Sequence, residues 1–259
     1  MDLSGKTVIV TGAASGIGRA TASDLQRRGA VVIGVDRNPT PEANESFEVD
    51  LSDPGSIDDL VSRLPEGADG LCNIAGVPPT MPGELVLKVN FLGLRRLTLG
   101  LVDRMADGAS IVNLASMAGN GWRDNIGQVM ELLNGDYDAV NALVERYDIG
   151  TGARSYFLSK EAVIVWTMEH RWTWRSRGIR MNCVSPGPVE TPALEAFIET
   201  LGRRAMESIR NMDRFGRPED VTPTVAFLLS DDAAWYCGAN LTPDGGMGSH
   251  LELRRYGPS

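Results

Sequence analysis

Lysine, histidine and cysteine are all scarce in this chain, and each scarcity removes a class of function. Only Lys6, Lys88 and Lys160 are lysine among 25 basic residues, and 34 acidic residues outnumber these to leave a formal charge of −9. A nucleic-acid partner needs a basic face against its phosphates, so none is expected. His170 and His250 are the only histidines, which leaves little material for a Ser-His-Asp hydrolase. Cys72, Cys183 and Cys237 lie far apart, and without a Cys/His cluster no metal site is expected. Three scattered cysteines, two of them in apolar runs, read as reduced core thiols of a cytoplasmic protein. No apolar run approaches the roughly 18 residues of a membrane span. The opening "MDLSGKTVIVTG" enters a strand directly, without the pattern of a secretory leader.

What is present is an alternation of strands and helices. With 42% apolar and 23% charged residues, the chain has a globular composition, and its length suits one α/β domain over 1–259. The runs "KTVIVTG", "AVVIGVD", "SFEVD", "DGLCNIAG", "ASIVNLAS", "IRMNCVSPG" and "GANLTPDGG" read as successive strands. Nearly continuous apolar strands separated by helices predict a doubly wound parallel sheet covered on both faces. "GIGRATASDLQRRG" is a helix that Gly29 is placed to end, and "DPGSIDDLVSRL" is a helix with Pro54 in its first turn. Another helix is expected from Asn90 to Met105, and a long one over "YFLSKEAVIVWTMEHRWTWRSRG". Only Arg37 to Glu45 separates the second and third strands, so the usual crossover helix is expected to be missing. Residues 117–153 break the alternation. Apolar residues at helical spacing in "IGQVMELL" and "AVNALVERY" predict a helix-turn-helix insertion broken near Asn134–Gly135.

The first strand runs into "TGAASGIG", with Gly12, Ser15, Gly16, Ile17 and Gly18 at the strand-to-helix turn. Glycines there let the backbone approach a pyrophosphate, and a helix N-terminus offers free N–H groups. A glycine trio alone also serves ordinary turns, but this one has the required strand-before, helix-after context. Asp36 ends the second strand, 18 residues after Gly18. A carboxylate there accepts hydrogen bonds from ribose hydroxyls and repels a 2′-phosphate, which favours NAD over NADP. Arg37 is the competing reading, since a guanidinium can bind that phosphate.

Tyr156 and Lys160 stand at i and i+4 and so share a helix face. An ammonium beside a phenol lowers the phenol's pKa, and such a tyrosine can exchange a proton with an alcohol. The spacing alone is common in helices. In a chain with three lysines it carries more weight.

"TGAASGIG", "CNIAG", "VNFLG", "NLAS", "YFLSK" and "SPGPVETP" occur in one order along nearly the whole chain. On these motifs the chain closely resembles the short-chain dehydrogenase/reductase family. The resemblance implies a single-domain Rossmann-like fold with a seven-stranded parallel sheet. It implies a catalytic group of Asn90, Ser116, Tyr156 and Lys160. The tyrosine would act as acid/base and the serine would hold the substrate oxygen. The lysine would contact the nicotinamide ribose and tune the tyrosine, and the asparagine would anchor a water. It further places Asp50 and Leu51 beside the adenine and Asn73, Ala75 and Gly76 along the cofactor strand. Pro186, Gly187, Val189 and Thr191 fall near the nicotinamide. Two plainer readings stay open: Ser116 as a cap of the following turn, and Asn90 as a buried side chain satisfying backbone. Ser155 is read as structural.

The gap of 39 residues between Ser116 and Tyr156 exceeds the family's usual dozen. The phrases "IGVDRN", "DGLCNIAGVP" and "RMNCVSPGPVETP" are similar to a bacterial branch of the family acting on cinnamyl-type alcohols. The substrate implied is a hydrophobic, aromatic alcohol or its carbonyl, with a hydroxysteroid or alicyclic alcohol as the alternative. A non-catalytic NAD(H) sensor and an epimerase- or dehydratase-type reaction are the remaining readings. Residues 191–212 hold Leu194, Phe197, Ile198, Leu201 and Met206 at helical spacing, either as an apolar lid or as a surface helix. Trp122 is a candidate wall. A homodimer is expected, although the insertion puts the family's usual contact in doubt.

Overall fold

The computed structural model describes residues 1–200 and 212–257. Seven strands form one sheet: β1 (Thr7–Thr11), β2 (Val31–Asp36), β3 (Glu45–Glu48), β4 (Gly70–Asn73), β5 (Ser110–Leu114), β6 (Arg180–Val184) and β7 (Asn240–Leu241). Their spatial order is β3-β2-β1-β4-β5-β6-β7, and every pair is parallel. The order reverses between β1 and β4. In an open α/β sheet that reversal leaves a crevice at the carboxyl ends of the strands, where ligands bind.

Alternation along the strands builds two apolar layers. Ile9, Ile33, Leu71, Ile111 and Met181 face one layer, while Val8, Val10, Val32, Cys72 and Val112 face the other. The second layer is closed by α1 (Gly16–Arg27) and α8 (Pro218–Leu229) through Ala22, Leu25, Val221, Val225 and Leu228. The first is closed by α2 (Pro54–Arg63), α3 (Gly83–Leu87), α4 (Leu94–Leu101) and α7 (Ala153–Glu169). Asp53 caps α2 by accepting from the Gly55 and Ser56 amides, ahead of Pro54. Gly29, at φ +91°, turns the chain out of α1.

The expected insertion between β5 and the tyrosine helix is present. It comprises a 3-10 turn, Met117–Arg123, then α5 (Ile126–Asn134) and α6 (Val140–Tyr147), with the break at Gly135. Val129, Leu132, Val140 and Leu143 join the first layer. α7 is therefore buried around nearly its whole circumference. No helix links β2 to β3. The connecting turn instead lies against the sheet, where the Asn44 side chain accepts the Val32 N–H at 2.8 Å. A Cβ on Gly34 would meet the Thr40 hydroxyl at 2.3 Å, so only glycine lets this turn pack so closely.

Three expectations are corrected. The helix through Asn90 is not uniform: α3 passes into a π-helical turn, Lys88–Gly93, before α4. The tyrosine helix does not reach Gly178 but ends at Glu169. The His170 Nδ1 donates to the Trp166 carbonyl at 3.1 Å, satisfying a helix-end acceptor, and the Trp174 ring stacks on His170. Cys72 and Cys183 are buried but Cys237 is only half-buried, so it is not a core thiol. Among the described residues no helix is long and apolar enough to cross a membrane, and no group of three potential ligands could hold a metal ion.

Candidate active site

One cavity of about 620 Å³ opens at the sheet's switch point. Its nucleotide end is made by the β1–α1 turn. Gly12 has φ +73°, and a Cβ there would lie 2.8 Å from the Ala75 Cα. A Cβ on Gly18 would lie 2.1 Å from the Gly12 carbonyl oxygen. The turn is thus a cradle that only glycines permit. Ser15 occupies the N-cap of α1 without a side-chain bond to the helix, so the first-turn amides are left for an anion. Ser15, Gly16, Ile17 and Gly18 all line the cavity. These features fit the pyrophosphate of a dinucleotide. Thr11 locks the adjoining strand ends, its hydroxyl accepting from the Ile74 and Ala75 amides at 2.9 and 3.0 Å. Sequence reasoning passed over Thr11, because its role depends on β4 lying alongside.

Asp36, Arg37, Asp50 and Leu51 also line this end, together with Asn38. The Asp36 carboxylate accepts the Ala14 and Asn38 amides at 3.1 and 3.0 Å, which fixes its direction. Asp50 accepts the Ser52 hydroxyl and amide, and these bonds, with the nearby Arg37 charge, hold its carboxyl below the usual range. Ala75, Gly76, Pro186, Gly187, Val189 and Thr191 line the middle of the cavity.

Asn73, on the expected cofactor strand, has its side chain inside the sheet. Its side chain is 2% exposed and points away from the cavity. It donates to Thr98 Oγ1 and to Asn113 Oδ1, both at 2.9 Å. Asn113 is its register partner on β5, so the residue cross-links the sheet to α4.

At the chemical end, α7 presents Tyr156 and Lys160, 8% and 3% exposed, to the cavity. Lys160 Nζ donates to the Leu114 carbonyl at 2.7 Å and stands 5.7 Å from the centre of the Tyr156 ring. Burial lowers the Lys160 pKa to about 8. Burial raises that of Tyr156, while the adjacent Ser116 hydroxyl pulls it down. Burial is thus the main influence on the phenol in this structure, and the ammonium is turned toward the Leu114 carbonyl.

Ser116 does two things. It N-caps the 3-10 turn, its hydroxyl accepting the Ala118 amide at 3.1 Å, and it lines the cavity beside Tyr156. Asn90 does not line the cavity. Its Oδ1 accepts the Val77 N–H at 2.7 Å and its Nδ2 donates to the Val77 carbonyl at 3.0 Å. The side chain therefore clamps backbone behind Gly76, inside the π-helical turn. Ser155 is fully buried.

Beyond Tyr156 the wall is apolar: Val77, Pro78, Met117, Phe157, Leu194, Phe197 and Ile198. The Phe197 ring meets Tyr156 edge-on at 4.7 Å. Residues 191–200 thus supply one side of the cavity, while Leu201 and Met206 of the expected lid lie outside the described residues. Trp122 does not line it, packing instead on the core under Arg123. Met247 and Leu251 do, from α9 (Met247–Tyr256). Sequence reasoning missed both. Their i, i+4 spacing was a weak signal, and their helix also makes an exposed Arg255–Asp124 ion pair at 2.8 Å with the insertion. Among the described residues, charged side chains line only the nucleotide end and the Lys160 position.

A Rossmann-type sheet with a dinucleotide cradle and a buried tyrosine, lysine and serine around one cavity defines a nicotinamide-dependent oxidoreductase. Residues 6–127 match the family model described as short chain dehydrogenase, and 140–248 the one described as Enoyl-(Acyl carrier protein) reductase. The chain is 39% identical to a coniferyl-alcohol dehydrogenase of Pseudomonas sp. (strain HR199 / DSM 7063), covering 96% of this chain and 99% of the relative. It is 27% identical to the 3-alpha-hydroxysteroid dehydrogenase/carbonyl reductase of Comamonas testosteroni, covering 93% and 95%. Among solved structures it is similar to the 3-alpha-hydroxysteroid dehydrogenase from Pseudomonas sp. B-0831 complexed with NADH. That match has a TM-score of 0.83 and 33% identity over 96% of this chain and 99% of that one. Other similar structures hold NADP. The chain belongs to the short-chain dehydrogenase family.

Proposed function

We propose that this protein is an NAD-dependent dehydrogenase interconverting a hydrophobic, aromatic alcohol of the cinnamyl type and its carbonyl. The observation that carries the reading is the uncharged apolar wall facing Tyr156 and Ser116. Among the described residues of that wall a carboxylate or phosphate on the substrate would find no partner, whereas a flat apolar ring would be desolvated favourably. The likeness to a coniferyl-alcohol dehydrogenase supports the same class.

The β1–α1 turn would hold the pyrophosphate and Asp36 the adenosine ribose, and the bound dinucleotide supplies a hydride acceptor. Ser116 donates a hydrogen bond to the substrate oxygen and sets its direction. Tyr156, as phenolate, takes the hydroxyl proton while the carbinol C–H bond breaks, which leaves the carbonyl product. In the reverse direction the phenol returns the proton. Lys160, fixed by the Leu114 carbonyl, keeps positive charge near the phenolate as it forms. Asn90 holds the Val77 segment that shapes the wall. The fixed Asp36 carboxylate supports NAD, because it would oppose a 2′-phosphate.

The test is absorbance at the NADH band with NAD or NADP and a panel of cinnamyl, benzyl, steroid and alicyclic alcohols. NAD reduction fastest with cinnamyl alcohols is the expected result. Preference for NADP would overturn the Asp36 reading alone. Preference for steroid alcohols would move the substrate toward that of the hydroxysteroid relatives. Silence with every alcohol, despite NADH binding, would leave a sensor.

A further inference from the structure

The face of α7 turned away from the cavity carries an ion pair between a buried carboxylate and a half-buried guanidinium. Arg154 and Glu161 are two turns apart on one stripe. At roughly 100° per residue, Tyr156 points to nearly the opposite side and Lys160 about a quarter-turn from Glu161. Glu161 is 1% exposed. Its carboxylate accepts Arg154 Nη2 at 2.7 Å and Asn125 Nδ2 at 2.8 Å. Arg154 also donates to the Gln128 side chain, from Nε at 3.1 Å and Nη2 at 2.7 Å. Asn125 and Gln128 begin the first helix of the insertion, and Asn125 Nδ2 donates as well to the Gly121 carbonyl at 3.0 Å. A Cβ on Gly121 would come within 3.0 Å of the Glu161 carboxylate, so the seat is closely fitted.

The same segment carries Ser116. The 3-10 turn Met117–Arg123 starts immediately after it. At mid-turn Gly119 lies against α7, where a Cβ would meet the Lys160 carbonyl at 2.7 Å. At the far end Gly121 and Asn125 are tied to Glu161. The buried Glu161 carboxylate, its Arg154 partner and their amide partners thus fasten the segment holding Ser116 to the helix holding Tyr156 and Lys160. Stability alone does not call for this arrangement. Burying a carboxylate costs several kcal/mol in desolvation, and apolar side chains of similar volume often serve stability as well or better.

We infer that Glu161 and Arg154 are positioning residues, through which the insertion sets Ser116 against Tyr156 and Lys160. The inference rests on the dehydrogenase reading only for its kinetic readout. Among the described residues Lys160 is the one charged side chain lining the tyrosine end of the cavity. The Ser116 hydroxyl is the group that opposes the burial penalty on the phenol. Loosening the segment moves Ser116 away, and the Tyr156 pKa rises.

The test compares the wild-type chain with Arg154→Met/Glu161→Leu, which removes both charges and keeps bulk. Thermal unfolding reports stability. The ultraviolet phenolate band, taken as the difference between each protein and its Tyr156→Phe counterpart, reports Tyr156 ionisation without any substrate. The expected double variant melts no lower than wild type, yet its Tyr156 titration lies higher by about one pH unit. Its kcat falls about tenfold, with the KM for the dinucleotide unchanged. A stable double variant with wild-type titration overturns the inference. If the double variant does not fold, Glu161→Gln decides by the same band: an upward shift supports the inference and an unchanged titration overturns it. Absence of alcohol turnover in the wild type would count against the dehydrogenase reading, and the phenolate band would still decide the positioning role.

Discussion

The two ends of the cavity are built on different principles. The nucleotide end is local and made largely of backbone: the strand-to-helix turn, two strand-end carboxylates and a threonine that staples neighbouring strands. The substrate end is assembled from side chains of several separate segments, from Val77 to Leu251. A backbone cradle tolerates almost no change, since an added methyl meets a carbonyl at 2.1 Å. A wall of apolar side chains tolerates exchange of similar volumes. One family can therefore keep its cofactor site and vary its substrate.

The largest effect should come where the two ends meet. Tyr156→Phe is expected to lower kcat about 10³-fold while leaving the NADH Kd near wild type; near-normal turnover would remove the tyrosine from the mechanism. Lys160→Met should separate stability from activity. The Lys160 pKa is lowered from 10.5 to about 8 by burial, so between those pH values the unfolded chain binds more protons than the folded one. Stability of the wild type therefore increases as pH rises through that window, and the burial penalty is fully felt below pH 8. The variant should lose turnover yet unfold later at pH 7, by up to about 3 kcal/mol. Its advantage should fade toward pH 10.5. Melting curves at both pH values check this, and a variant less stable at pH 7 contradicts it.

Smaller effects should sort cleanly by end. Gly18→Ala is expected to weaken NADH binding about a hundredfold and to cost about 1–3 kcal/mol in stability. An unchanged Kd from fluorescence titration would show that the turn relaxes around the methyl. Leu251→Ala touches only the substrate wall, and its side chain is 39% exposed. It should raise the KM for the alcohol a few-fold, corresponding to about 1 kcal/mol of apolar contact, and leave the NADH Kd alone. A change in Kd instead would couple the two ends through α9.

Much of the fold was legible because its signals are local. Apolar β-branched runs separated by helical periods gave seven parallel strands, and the absence of a helix after β2 followed from chain length alone. The break at Gly135 was readable from turn chemistry. Misses occurred where tertiary contacts override local pattern. The tyrosine helix stops at Glu169 because His170 and Trp174 close its end. Asn73 faces inward because Asn113 and Thr98 are there to receive it. Met247 and Leu251 stayed hidden because they reach the cavity only through the tertiary placement of α9.

The sequence by itself determined the doubly wound sheet, the glycine cradle, the Asp36 position and the shared face of Tyr156 and Lys160. Each depends on spacings within one or two neighbouring elements. Only the tertiary structure decided that burial raises the Tyr156 pKa and that Asn90 clamps Val77 rather than lining the cavity. It alone decided that Glu161 is seated in the insertion. The physical reason is the same in each case: desolvation and hydrogen-bond partnership are set by which distant segments come together, and chain spacing carries no measure of either.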